Sequence, residues 1–123
     1  MKISKNLLIV VMIILAVIVM IFVVRYLNYQ NYDNLAKCLT QKGVKMYGAY
    51  WCSHCQNQKK MFGNSWQYIT YVECGVPDSN EQAEVCQQAG INGYPTWVFP
   101  HGQRIEREIS IDNLAKLSGC GID

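Results

Sequence analysis

From Leu7 to Val24 the chain runs through Leu, Ile, Val, Met and Phe with a single Ala and no charged side chain. At about 1.5 Å of rise per residue, a helix over this stretch approaches the roughly 30 Å hydrocarbon core of a bilayer. A helix apolar on every face could otherwise be buried only inside a large protein, and a chain of 123 residues does not supply one. A cleaved signal peptide would carry a shorter apolar region of about 7 to 15 residues ending in an A-x-A-like pattern, whereas Met20 to Arg25 reads Met-Ile-Phe-Val-Val-Arg. The expectation is therefore an uncleaved transmembrane helix over 7–25. Lys2 and Lys5 precede it, while Arg25, Asp33 and Lys37 follow. The positive-inside bias places 1–6 in the cytoplasm and the remainder on the extracytoplasmic side. Tyr26, Tyr29 and Tyr32 suit either the membrane interface or a tyrosine-rich tether over 26–33.

Eleven basic against nine acidic residues give a net charge of +2, and no dense basic patch exists to hold phosphates, which argues against a nucleic-acid partner. Six cysteines, an even count in so short a chain, fit an oxidising compartment, in agreement with the topology. Residues 34–123 read as one compact α/β domain. Asp33 is placed to cap a helix to about Gln41, closed by Gly43, and Val44 to Tyr50 is a strand candidate ending at Gly48. A helix over Ser53 to Phe62 stops at Gly63. Trp66 to Glu73 carries β-formers throughout and is expected to be a second strand. Asn80 is placed to cap a helix to about Ala89. Thr96 to Phe99 and Arg104 to Ile109 are expected to form a hairpin around the turn 100–103, with a closing helix from Asp112 to about Ser118. Alternating strands and helices ending in a hairpin give a mixed central sheet flanked by helices. His101 reads as a turn residue, Trp66 and Trp97 as core.

The chemistry lies in Cys52-Ser53-His54-Cys55, at a junction of strand and helix. A thiol at a helix N-terminus faces free N–H groups and the positive end of the macrodipole, which favour thiolate and make Cys52 a nucleophile. Cys55, one turn deeper, is close enough to close a strained and reducible disulfide with it. A zinc site would need a second donor pair, and Cys74, Cys86 and His101 do not have that spacing; no metal is expected. A partly cationic His54 beside Cys52 stabilises the reduced form, which makes the disulfide a stronger oxidant. Ser53 completes this tuning loop, and Trp51 flanks it as a packing residue.

Trp51-Cys52-Ser53-His54-Cys55, followed further along by Gly93-Tyr94-Pro95-Thr96, resembles the thioredoxin superfamily. More narrowly, Tyr47-Gly48-Ala49-Tyr50-Trp51-Cys52, Gln56 to Gly63, Tyr71-Val72-Glu73-Cys74 and Tyr94-Pro95-Thr96-Trp97 are similar to the thioredoxin-like domain associated with bacterial and plant vitamin K epoxide reductase homologues. The resemblance covers about Leu35 to Gly121. It implies a thioredoxin-like fold, Cys52 as exposed nucleophile, Cys55 as its partner, and a cis Pro95 that with Tyr94 and Thr96 offers unpaired backbone edge to an extended substrate. It further implies a domain outside the cytoplasm that takes electrons from folding proteins and passes them through a membrane enzyme to quinone. Histidine at the position of His54 is, by the same resemblance, typical of oxidases and isomerases.

Two departures matter. No quinone-reducing helices with cysteines of their own accompany this sequence, so a separate membrane partner or a different acceptor is expected. Thioredoxins also carry a buried acid where this chain has Met46, so the expectation is that solvent or His54 takes the proton of Cys55.

Cys74 ends a strand and Cys86 lies on the next helix. Bridging them would close a loop of about 13 residues and add on the order of 3 kcal/mol, and the resemblance implies this pair. Cys38 and Cys120 are left over, either as a staple between the domain's two ends or as a redox relay toward the membrane partner; sequence alone leaves the connectivity open.

The expected protein is a membrane-anchored extracytoplasmic thiol-disulfide oxidoreductase of the disulfide oxidase or isomerase type. It needs no cofactor beyond its Cys52-Cys55 disulfide, acts on protein thiols and disulfides, and reaches quinone only through a vitamin K epoxide reductase-like partner. The alternatives are a thiol reductase, for example in cytochrome c maturation, and a non-catalytic metal carrier using Cys52, Cys55 and His54.

Overall fold

The computed structural model describes residues 4–27 and 31–122. Lys2, used above for orientation, and Asn28 and Tyr29, assigned to the tether, lie outside the described residues. The chain divides into two compact units, Met1–Gln30 and Asn31–Asp123.

In the first unit, α1 (Lys5–Leu27) is one continuous helix. Its side chains from Leu7 to Val24 are exposed, and over Lys5–Tyr26 it is long and apolar enough to cross a membrane.

In the second unit, α2 (Asp33–Gln41) precedes β1 (Lys45–Gly48), which leads through α3 (Ser53–Phe62) to β2 (Tyr71–Glu73). A short α4 (Glu84–Gln88), the hairpin of β3 (Thr96–Val98) and β4 (Arg104–Glu106), and α5 (Ile111–Ser118) complete it. The sheet order is β2-β1-β3-β4. β1 and β2 are parallel, as the crossover through α3 requires, while β1 and β3, and β3 and β4, are antiparallel. The result is a thioredoxin-like α/β fold with a mixed sheet flanked by helices.

Because successive strand residues point to opposite faces, β1 and β3 feed two apolar clusters. Met46 and Trp97, paired across the strands, join Leu35 and Leu39 of α2, Phe62 of α3 and Leu114 of α5. Their neighbours Tyr47 and Val98 instead meet Cys74, Cys86 and Ile91. Two disulfides reinforce these layers, Cys38–Cys120 and Cys74–Cys86. Gly43, with φ +80, lets the chain leave α2. Its N–H bonds the Thr40 carbonyl and the Val44 N–H bonds the Leu39 carbonyl, the paired pattern of a Schellman ending.

Several expected boundaries move, each for a visible reason. Asp33 is the first residue of α2 and not its cap; its carboxylate accepts from the Ser65 hydroxyl at 2.6 Å. Tyr32 donates its N–H to Ser65 Oγ at 3.0 Å and packs its ring edge-on against Phe62, so residues 31–33 belong to the folded unit and not to a tether. Trp66–Glu73 is not a strand: Gly63–Tyr68 forms a 3-10 turn and only Tyr71–Glu73 pairs. Packing of Trp66 against Phe62 and Tyr71 outweighs the β-preference of those aromatics. Asn80 caps nothing in α4, which starts after Ala83. The Gly75–Gln82 bridge and the Ala83 N–H to Cys74 carbonyl bond at 2.9 Å hold that segment back. β4 stops at Glu106, since both backbone groups of Ile109 are taken by the buried Gln58 side chain at 2.7 and 2.9 Å. α5 starts at Ile111 with Ser110 as its cap.

Candidate active site

β1 ends at Gly48, and a turn closed by the Cys52 N–H on the Ala49 carbonyl at 3.0 Å delivers Cys52 to the N-cap of α3. A helix leaves its first N–H groups without internal partners. Here the Cys52 sulfur fills the capping role, accepting from the Cys55 N–H at 3.2 Å. The Cys55 thiol donates to the same sulfur at 2.6 Å, and neither cysteine belongs to either disulfide.

The two thiols differ in surroundings. Cys52 is the more accessible, yet only 7% exposed, so "exposed nucleophile" describes it only relative to Cys55 at 0%. Burial, and then the hydrogen bond to Cys52, push the Cys55 thiol from 9.0 up to about 12. Charge is thus disfavoured at Cys55, while two hydrogen-bond donors converge on the Cys52 sulfur.

The Tyr94–Pro95 peptide is cis. Thr96, buried behind it, donates its hydroxyl to the Gly93 carbonyl at 2.7 Å, and Gln82 donates to the Tyr94 hydroxyl at 2.6 Å. Trp51, 63% exposed, meets the Tyr94 ring edge-on with centroids 5.8 Å apart. Its contact thus joins the cysteine turn to the proline loop. A shallow hollow of about 430 Å³ opens there, lined by His54, Tyr94, Pro95, Glu106, Arg107 and Glu108. Ser53 is exposed at the first position of α3.

His54 has a partner that the sequence did not reveal. Its Nδ1 lies 2.6 Å from Glu108 Oε1, with the imidazole 71% exposed. Asn57 reaches the same oxygen at 3.4 Å. Nothing in the spacing of His54 and Glu108 signals this contact, which the end of β4 creates. Among the described residues no group of three His, Cys, Asp or Glu side chains is placed to hold a metal ion.

A carboxylate is linked to the surroundings of Cys55 through an intervening tyrosine. A Cβ added at Gly48 would lie 2.9 Å from Cys55 Sγ, 3.0 Å from Tyr71 Cε2 and 3.3 Å from Tyr71 Oη. Thiol and phenol therefore border one small space that only glycine leaves open. The Tyr71 hydroxyl donates to Glu73 Oε2 at 2.8 Å, and Glu73 Oε1 accepts from the Tyr50 and Gly75 N–H groups at 3.0 and 2.8 Å. Burial, followed by the bond to Glu73, drives the Tyr71 phenol above its ordinary range. Lys59 Nζ sits 3.9 Å over the Tyr71 ring. Glu73 escaped notice because it lies on β2 and not on β1, where Met46 occupies the expected place.

Gly48→Ala is expected to overpack this space and cost about 1–3 kcal/mol. Chemical denaturation should show it as a lowered midpoint.

The geometry of a cysteine pair opening α3 opposite a cis-proline loop can be set beside known proteins. A sequence model described as Thioredoxin matches residues 23–118. The thiol-disulfide oxidoreductase LTO1 of Arabidopsis thaliana is 41% identical over 93 residues, which is 72% of this chain and 24% of that protein. The chain thus spans about a quarter of the length of this curated relative. Among solved structures, thioredoxin O2 from Arabidopsis thaliana in its oxidized state aligns with a TM-score of 0.39 and 15% identity, over 73% of this chain and 88% of that one. The family match runs from the end of α1 through the last residue of α5, taking in both site loops and every strand, and the chain belongs to the thioredoxin family.

Proposed function

We propose that this protein is a thiol-disulfide oxidoreductase held at a membrane by α1, with its folded unit on the extracytoplasmic side, where it donates a Cys52–Cys55 disulfide to folding proteins. The observation that carries the reading is the asymmetry of the pair: Cys52 caps α3 and keeps 7% exposure, and Cys55 is fully buried with its thiol pushed up to about 12. The relative's printed name points the same way.

In the forward direction a client thiolate attacks Cys52 Sγ, the Cys52–Cys55 bond breaks, and its electron pair leaves on Cys55. A second client thiolate then attacks the client sulfur of the mixed disulfide, and Cys52 departs. The client is oxidised by two electrons and the pair reduced by two. Tyr94 and Pro95 line the hollow that an extended client would occupy, whereas Thr96 is buried and already paired with Tyr47 and Glu106, so it offers a client no free edge. Reoxidation falls to a vitamin K epoxide reductase-like membrane protein that hands the electrons to quinone, so this chain needs no cofactor of its own. The Cys38–Cys120 and Cys74–Cys86 disulfides and the positive-inside bias around α1 both favour an oxidising, extracytoplasmic placement.

The opposite direction, a thiol reductase, has one observation in its favour. Glu108 beside His54 offsets the imidazole charge that would otherwise favour the reduced pair. The reduction potential of the full chain in detergent, equilibrated against glutathione, separates the two. The expected value lies between about −120 and −180 mV; a value near about −270 mV would make the protein a reductant of its clients.

A further inference from the structure

The Tyr71–Glu73 pair has no part in building the sheet that the neighbouring backbone does not already supply. Tyr71 and Glu73 are paired through their main chains with Met46 and Gly48. Yet their side chains are fixed: Glu73 is held by two backbone N–H groups, and its second oxygen receives the Tyr71 hydroxyl at 2.8 Å. The Tyr71 ring is packed edge-on against Trp66 and covered by Lys59. Its hydroxyl and the Cys55 sulfur border the same space beside Gly48.

Resting on the oxidoreductase reading above, we propose that Tyr71 and Glu73 form the proton-transfer pair of Cys55, Tyr71 relaying the proton and Glu73 acting on the thiol only through Tyr71. When the reduced pair is reoxidised, the Cys52 thiolate first attacks one sulfur of the oxidant's disulfide, whose other sulfur leaves with the electron pair of the broken S–S bond, giving a mixed disulfide on Cys52. The Cys55 S–H proton then passes to Tyr71 Oη while the phenol proton passes to Glu73 Oε2. The Cys55 electron pair forms the bond to Cys52 Sγ, and the oxidant's sulfur leaves with the pair of the broken mixed disulfide. When the pair donates its disulfide the same protons run backwards, so Cys55 leaves as a thiol.

The other titratable or charged groups around Cys55 do not fill this role. Cys52 is the reacting partner. Lys59 is a cation with no acceptor site and can only favour negative charge nearby. His54 is turned to Glu108 at the surface. A thiol held near a pKa of about 12 by burial reacts slowly at neutral pH without an acceptor at hand, and positioned acids and bases contribute about 10²-fold or more to such steps.

The test is a single-turnover reoxidation of the reduced full chain in detergent by oxidised glutathione, acid-quenched and read by mass spectrometry from pH 6 to 9. In the parent protein the Cys52–glutathione adduct is expected to resolve at a rate that changes little with pH. Tyr71→Phe and Glu73→Gln are both expected to slow resolution about a hundredfold at pH 7 and to regain about tenfold per pH unit as hydroxide takes over. The glutamine keeps an acceptor for the Tyr50 and Gly75 N–H groups, so the loop it holds is preserved. Parent-like rates and pH profiles in both variants would overturn the inference, as would an equal loss at every pH, which marks displaced packing. If no adduct forms on Cys52 even in the parent protein, the oxidoreductase reading itself falls, a distinct result.

Discussion

Cys55→Ala should turn a reversible exchange into a trap. With reduced, unfolded proteins and an oxidant present, the variant is expected to accumulate covalent adducts through Cys52, while Cys52→Ala forms none. The reason is positional. Cys52 caps α3 and is the more accessible of the two sulfurs, and a mixed disulfide on it is normally cleared by the thiol 2.6 Å away. Among the described residues the remaining cysteines are held in disulfides, so removing that thiol leaves the adduct waiting for a second external thiol. Cys55 cannot substitute as the entry point. It is fully buried, and its thiol, pushed up to about 12, presents almost no thiolate at neutral pH. Turnover of both variants should fall to the uncatalysed background. The measurement is non-reducing electrophoresis of the full chain expressed in cells, with adduct sites assigned by mass spectrometry. Adducts on Cys55 in the Cys52→Ala protein would reverse the assignment, and no adducts in either variant would remove exchange chemistry.

What could be read in the sequence divides along a physical line. The apolar helix, the placement of Cys52 and Cys55 at a strand-to-helix junction, and the order of elements are local or periodic signals, and they survive because a helix cap or a strand needs only its immediate neighbours. The misplacements are tertiary. Trp66 has strand character but is drawn into a 3-10 turn by Phe62 and Tyr71. Asn80 has a cap's chemistry but sits in a segment pinned by Cys74 and Gly75. The site shows the same division. The cysteines announce themselves, whereas Glu108 reaches His54, and Tyr71 and Glu73 reach the neighbourhood of Cys55, only through sheet pairing and the end of the hairpin. The sheet supplies an acid from β2 where family likeness directs attention to β1, and no spacing rule along the chain would have found it.

Removing the Cys38–Cys120 disulfide should be the largest single loss of stability available outside the apolar core. The bond joins α2 to Cys120, two residues past the end of α5, across a sequence separation of 82, against 12 for Cys74–Cys86. In the chain-entropy account the restraint on the unfolded chain grows with the logarithm of the loop, giving about 4–5 kcal/mol for the first and about 3 kcal/mol for the second. The native state around the longer loop is already well held. Lys42 donates to the Ser118 and Gly119 carbonyls at 2.7 and 3.1 Å, and Leu35, Leu39 and Leu114 are fully buried together. Cys38→Ser with Cys120→Ser should therefore leave the fold intact but lower its melting point by roughly 15 to 30 °C, with Cys74→Ser and Cys86→Ser giving the smaller drop. The same double variant decides between staple and relay. If the bond is a staple, stability falls and reoxidation of Cys52 and Cys55 in the native membrane continues at the parent rate below the new melting point. If it carries electrons toward a membrane partner, reoxidation stops at temperatures where the variant is fully folded, because the path from Cys52 to that partner has lost its intermediate disulfide.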